Sequence, residues 1–301
     1  MAPRCRWLKT TFLASGVVIL LLAETGAVCA QAPPQTDRQD REETDSASSH
    51  PLVGTRAGEE RDDNGLKMTL VWCPPGTFTM GSPESEEDRD DDERQRQIAL
   101  PEGFWLGKYE VTQAEWKQVM GTTPWKEKER VQEGPRYAAS FMKWGEMREF
   151  LKRLTHQERQ AGRLPEGAEY TLPTEAQWEY ACRAGTKTAF SFGESSEAIH
   201  DYAWFHRNAM LIDQKYAHEV GAKKPNAWGF HDLHGNVWEA CLDVFEKKSP
   251  IEQEPLVSLR VYRGGAWYGD PYLCRSANRG WLSPDSHGDS LGFRVALIPG
   301  R

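Results

Sequence analysis

The sequence predicts an α+β domain with few helices, a mixed sheet and much irregular structure. Three observations carry that expectation. Three segments bear helical signals, each in the first two-thirds of the chain. Short apolar runs of strand length flank them, bounded by Gly and Pro. Twenty-six glycines, 18 prolines and 12 tryptophans mark a loop-rich chain in which indole rings do much of the packing.

The first segment has the form of an export signal. Arg4, Arg6 and Lys9 precede an apolar stretch from Phe12 to Ala23, and Val28 and Ala30 supply the small residues of a signal-peptidase site. Residues 1–30 are therefore expected to be a signal peptide, cleaved after Ala30, and the protein secreted or periplasmic. The apolar run is short of the roughly 20 residues a spanning helix needs, so no membrane span is expected after cleavage. Residues 31–64, rich in Asp, Glu, Arg, Ser, Gln and Pro with almost no large apolar residue, are expected to form a disordered polar linker, because they bury too little surface to offset chain ordering. Residues 65–301 suffice for one core.

Within that domain, Leu70 to Trp72 and the stretch through Phe78 and Met80, separated by Cys73, Pro74, Pro75 and Gly76, form a hairpin. Glu110 to Met120 begins with Thr112 and places Glu115 three residues later, a capping box ahead of Trp116 and Val119. Lys143 to Arg159 carries Met147, Phe150, Leu151 and Leu154 at three-and-four spacing, the longest helix. Thr174 with Gln177 caps Glu175 to Cys182, whose apolar face is Trp178, Ala181 and Cys182. Beyond Gly193 the pattern breaks into short strands and turns.

The formal charge is −8, and removing the leader, which holds three basic groups and one acid, takes it to −10. No basic stripe is evident to neutralise phosphates, so nucleic acid is not an expected partner. The acidic run from Pro83 to Glu93, with Arg89 inside it, is expected to be a solvated loop. Four cysteines remain beyond the leader, Cys73, Cys182, Cys241 and Cys274, and none forms a CxxC pair. In an exported protein such a set points to disulfides rather than a redox motif.

Three clusters are too particular for generic packing: LPTEAQWEYAC at Leu172 to Cys182, PNAWGFHDLHGNVWE at Pro225 to Glu239, and the stretch from RGGAW to LGFR at Arg263 to Arg294. With FTMGS at Phe78 to Ser82 and YEVTQAEW at Tyr109 to Trp116, they resemble, in order, the formylglycine-generating enzyme or sulfatase-modifying-factor family. The resemblance covers roughly Leu66 to Pro299. It implies a fold similar to a C-type lectin. It also implies a structural calcium ion held by side chains of Asp232 and Glu239 and by backbone carbonyls of Gly235 and Val237, a role consistent with calcium's preference for many oxygens. A competing reading has Glu239 paired with an arginine. The resemblance further implies a disulfide between Cys182 and Cys274, and offers no counterpart for a bond between Cys73 and Cys241.

One departure bears on activity. In formylglycine-generating enzymes the stretch after RGGS carries two cysteines that bind copper; here it is AWYGDPYL, shorter and without cysteine, and Ala266 replaces the usual serine. Soft thiolates select Cu(I), so copper is not expected and standard cysteine-to-formylglycine activity is doubtful. The expectation is a divergent oxidase-family protein acting on a peptide or amino-acid-derived substrate. The alternative is a non-catalytic peptide- or glycan-binding module on the same scaffold. Tyr268, Asp270 and Arg279 are the first catalytic candidates, with Trp267, Tyr272, Arg275 and Asn278 placed to line a cleft. His218, His231 and His234 with Asp232 form the densest imidazole and carboxylate group, but a lone HxxH is more often a pair of turn histidines than a metal site.

Overall fold

The computed structural model describes residues 52–247 and 257–300, all within one compact unit. The expected signal peptide lies outside the described residues. Fifteen regular elements follow in order: β1 (Glu60–Arg61), β2 (Leu70–Cys73), β3 (Gly76–Met80), β4 (Arg96–Leu100), β5 (Phe104–Gly107), α1 (Gln113–Met120), α2 (Trp144–Gln160), β6 (Glu169–Thr171), α3 (Glu175–Arg183), α4 (Ile199–Tyr202), β7 (Trp238–Lys247), β8 (Val257–Arg263), β9 (Arg279–Leu282), β10 (Leu291–Gly292) and β11 (Ala296–Ile298). The α+β class is as expected.

The strands form a five-stranded sheet in the order β1-β2-β5-β11-β6, a four-stranded sheet in the order β10-β7-β8-β9, and the β3-β4 pair. The expected hairpin splits: β2 pairs with β5, Trp72 opposite Trp105, while β3 pairs with β4. The last strand, β11, lies between β5 and β6, so the sheet closes only when the C-terminal end of the chain is in place.

The helices start where the capping boxes place them. Thr112 Oγ1 accepts from Glu115 N, and Glu115 returns the bond to Thr112 N at 2.7 Å. Thr174 and Gln177 do the same for α3. α1 and α2 bury Trp116, Phe150, Leu151 and Leu154 against Phe293 and Leu297 in one core; Trp116 stacks on Phe150 and meets Phe293 edge-on. α3 departs from its expected one-sided face. Besides Trp178, Ala181 and Cys182 it buries Glu175, Glu179 and Arg183, because each of these charges meets an opposite one. Among the described residues no helix is long and apolar enough to cross a membrane.

The expected linker boundary needs correction. Residues 52–64, assigned by composition to the linker, pack on the domain: Leu52 is buried and its carbonyl accepts from Trp105 Nε1, β1 pairs with β2, and Asn64 bonds Met68 through both its amide groups. This segment is held by backbone pairing and single anchors, which apolar composition does not register.

Candidate functional site

The segment expected to hold calcium turns tightly at the centre of the domain. Asp232 and Asn236 adopt φ of 64°, and a Cβ on Gly235 would lie 2.2 Å from the Trp204 carbonyl oxygen; only glycine fits there. Glu239, on β7, accepts from Trp178 Nε1 at 2.7 Å and from Arg294 Nε and Nη2, both at 2.5 Å. Arg294 also donates to the carbonyls of Gly107, Lys108 and His231. The fork-to-fork pair is fully buried, so Glu239 is held by an arginine, the competing reading of the sequence.

Asp232 differs. Its Oδ2 accepts from Gly221 N at 2.7 Å, while Oδ1 is buried without a hydrogen-bond partner. Glu110 faces the same region, with Oε1 accepting from Asn236 Nδ2 at 3.1 Å and Oε2 again unpaired. Burial, and then the charge of Asp232, push the Glu110 carboxyl well above its usual range, and burial raises Asp232 to about 6. Arg294 is thus the one guanidinium for three buried carboxyl groups. Two bare, buried carboxylate oxygens are costly unless a cation or a proton joins them. Sequence reasoning missed Glu110. The only local signal was a glutamate two residues before the capping-box threonine, between Tyr109 and Val111.

The shortened stretch after Arg263 begins with Gly264 and Gly265 at φ of 96° and 76°; a Cβ on Gly265 would lie 2.8 Å from Cys274 Sγ. The turn brings Tyr268 and Asp270 to the surface. The Tyr268 hydroxyl accepts from Trp238 Nε1 at 3.2 Å, and Asp270 Oδ1 lies 3.6 Å from His206 Nδ1. Arg279, the third catalytic candidate, is committed elsewhere. Its Nε and Nη2 bind both oxygens of Glu175 at 2.5 and 2.8 Å, and Nη1 reaches Asp92. Asn278 is buried as well.

The acidic run is solvated at Glu84, Ser85, Glu87, Asp88, Asp90 and Asp91, as expected, but Glu86 and Glu93 turn inward. Arg275 binds Glu86 at 2.6 Å and both oxygens of Glu93 at 2.7 and 2.8 Å, and takes the Asp88 carbonyl. Burial opposes ionisation of Glu93, yet Arg275 and Ser82 together hold its carboxyl below the usual range. Arg263 extends the network, bonding Glu179 and the carbonyls of Ser276 and Asn278. Between the anchored loop and residues 271–275 opens a cavity of about 530 Å³, lined among others by Pro83, Glu87, Phe190, Glu194 and Tyr272. Tyr272 and Arg275 line this cleft as expected; Tyr268, Asp270 and Arg279 are not among its walls.

The implied disulfide is absent from the structure: Cys182 and Cys274, like Cys73 and Cys241, are buried free thiols. Cys182 Sγ instead points at the Leu233 carbonyl, Ser276 Oγ and His234 Nε2, at 3.7–3.9 Å. Burial pushes the Cys182 thiol up to about 12 and raises the other three, so none is a ready thiolate. The histidines disperse in their bonding. His234 Nδ1 meets the Cys274 carbonyl and Nε2 meets Ser191, His231 meets the Lys223 carbonyl, and His218 stacks on Trp204 at 3.8 Å. Among the described residues no group of three or more His, Cys, Asp or Glu side chains is arranged to hold a metal.

Residues 56–298 match the family model of the sulfatase-modifying factor enzyme 1-like domain. The chain is 26% identical to the formylglycine-generating enzyme of Mus musculus, over 75% of this chain and 74% of that protein. It is 26% identical to the hercynine oxygenase of Mycolicibacterium smegmatis, over 82% of this chain and 65% of that protein. Among solved structures, PvdO from Pseudomonas aeruginosa superposes with a TM-score of 0.67 at 26% identity, covering 81% of this chain and 99% of that one. The five collinear motifs, the tight glycine turn at Asp232 to Glu239 and the match over most of the chain agree: the protein belongs to the sulfatase-modifying factor enzyme 1-like family.

Proposed function

We propose that the protein is an exported, divergent member of the formylglycine-generating enzyme family that takes a peptide or amino-acid-derived substrate and does not use paired-cysteine copper chemistry. One observation carries this reading. The stretch from Ala266 to Leu273 has no cysteine, and the four thiols of the described domain are buried and held protonated. Oxidative chemistry by another route is supported by likeness to a relative named as an oxygenase. Tyr268 and Asp270, exposed on one turn beside His206, remain the candidate substrate-facing groups. Arg279 is a positioning residue for Glu175. Incubating the protein with a Cys-X-Pro-X-Arg peptide and copper should leave the peptide unchanged by mass spectrometry; formylglycine in the product would overturn the proposal.

A second reading, a peptide- or glycan-binding module, is favoured by the committed state of the candidate groups, since Arg275 in the cleft and Arg279 and the Tyr268 hydroxyl outside it all have fixed partners. Metal analysis separates the two. Calcium without copper or iron favours binding; stoichiometric copper or iron favours the enzyme.

Calcium belongs to both readings. The residues fit it, with a changed donor set: Asp232 Oδ1 and Glu110 Oε2 are, among the described residues, the buried carboxylate oxygens lacking a donor, and the carbonyls of Gly235 and Val237 are the backbone ligands the resemblance implies. The ion would neutralise a region in which carboxylates outnumber guanidinium groups. Saturating calcium should raise the melting temperature, by linkage worth about 2.7 kcal/mol at a hundredfold excess over Kd. Glu110→Gln and Asp232→Asn should each abolish that gain. A gain that survives both changes would remove these two residues as ligands.

A further inference from the structure

The outer face of α2 carries a row of basic side chains, three of them without a hydrogen bond or ion pair among the described residues. Each of the helix's acids has a partner inside the fold: Glu146 accepts from Lys143 N, Glu149 from Arg153 Nε, and Glu158 from Arg163 and from Gly65 N. Arg148, Lys152, His156 and Arg159 remain, at steps of four, four and three residues, so they fall on one exposed face over about 16 Å of helix. All four line a single groove of about 520 Å³ between α2 and β6. Arg148, Lys152 and His156 have no hydrogen bond or ion pair among the described residues. In a chain of formal charge −8, this is a local reversal of sign.

The two arginines at the ends of the row are held in place before any ligand arrives. The Arg148 guanidinium lies over the Trp144 ring at 5.1 Å, and Arg159 Nη2 donates to the Ala168 carbonyl at 2.6 Å, leaving most of its donors free. Fixed guanidinium forks lose less entropy on binding an oxyanion than free ones. The groove also contains two acids, Glu149, already paired with Arg153, and Glu169. Counting Arg153, which lines the adjoining hollow with Lys152 and His156, the cations still exceed the acids.

We infer that the α2–β6 groove is a binding site for a linear anionic glycan, one bearing sulfate or carboxylate groups along its length. The row of cations matches a linear array of anions rather than a single ion. An extended peptide lacks its usual means of docking here. β6 is the edge of its sheet, but its outward backbone groups are already satisfied: Tyr170 N donates to Thr155 Oγ1 at 2.9 Å, and Thr155 Oγ1 donates back to the Tyr170 carbonyl at 3.4 Å. With strand addition blocked, recognition rests on charge and hydroxyl contacts. A membrane surface would meet a concave groove, with Glu169 at its side, rather than a flat face. A single-stranded nucleic acid would need aromatic faces on which to stack its bases, and Tyr170, the only Phe, Tyr or Trp in the lining of the groove, is buried.

Binding of a size-defined heparin dodecasaccharide, measured by calorimetry at 50 mM salt, tests this on the intact protein. The wild type should bind, and affinity should fall as salt is raised. Arg148→Glu and Lys152→Glu, at exposed helix positions, should each weaken it about tenfold, the scale of one charge-assisted hydrogen bond. The control Lys117→Glu with Lys128→Glu makes a larger charge change on another surface and should leave affinity within about twofold. Absence of wild-type binding, equal loss in the control, or a preference for polyglutamate over the glycan would each overturn the inference. Circular dichroism and melting curves of the variants should match the wild type.

Discussion

Arg294→Met should lower stability by about 3–5 kcal/mol, the usual cost of removing one partner of a buried ion pair. Arg294 is completely buried, donates twice to Glu239 and caps three carbonyls of the surrounding loops. Its loss leaves the Glu239 carboxyl without its cation in the interior, next to Glu110 and Asp232, whose carboxyls are already forced upward. Against a typical total of about 5–15 kcal/mol this is severe. The check is equilibrium urea unfolding of the single variant and of Arg294→Met/Glu239→Gln. Removing the orphaned charge while keeping an acceptor for Trp178 should restore part of the loss. A double variant no more stable than the single one would show that the arginine acts through its carbonyl contacts and not through the carboxylate.

His234 should produce a second large effect, on acid stability. Its ring is buried, and desolvation lowers its pKa from 6.5 to about 4. The folded state therefore binds the proton less readily than the unfolded state. This contribution is fully present above pH 6.5, declines as pH falls toward 4 and is constant below. The shift corresponds to about 3 kcal/mol at the acid end. His218, also lowered to about 4 by burial, acts in the same sense. Asp232, raised to about 6, acts in the opposite one, since its protonation relieves a cost. For that reason the difference between wild type and His234→Gln isolates the histidine better than either curve alone. The variant should lose stability at pH 7.5 and show a shallower decline between pH 6.5 and 4. Parallel curves over that interval would mean that His234 does not titrate with folding.

The helices were legible in the sequence because their determinants are local. A threonine and an acceptor three residues on set the start of α1 and of α3, and the spacing of Met147, Phe150, Leu151 and Leu154 set the buried face of α2. The family motifs singled out the segment from Asp232 to Glu239, which folds as a tight turn. The electrostatic connections were not legible. Glu239 and Arg294 are 55 residues apart, Glu110 and Asn236 are 126 apart, and Glu93 and Arg275 are 182 apart. No composition or period marks such pairs, which is why the anchoring of the acidic run through Glu86 and Glu93 was not foreseen and Arg279 was expected in a cleft. The segment from Leu52 to Asn64 was misassigned for a related reason. Its two-residue strand and single buried leucine contribute pairing rather than apolar bulk.

The pairing of acids with arginines has a direction along the chain. Glu86, Glu93, Glu175, Glu179 and Glu239 all precede their partners Arg263, Arg275, Arg279 and Arg294, and strand β11, which completes the large sheet, comes later still. During synthesis these carboxylates emerge first, while two buried acids meet arginines close by in sequence, Glu158 with Arg163 and Glu179 with Arg183. The interior that receives the others cannot form until the last part of the chain arrives. Such a molecule gains little from folding as it is made. Its collapse depends on contacts distant in sequence, the kind that closes slowly.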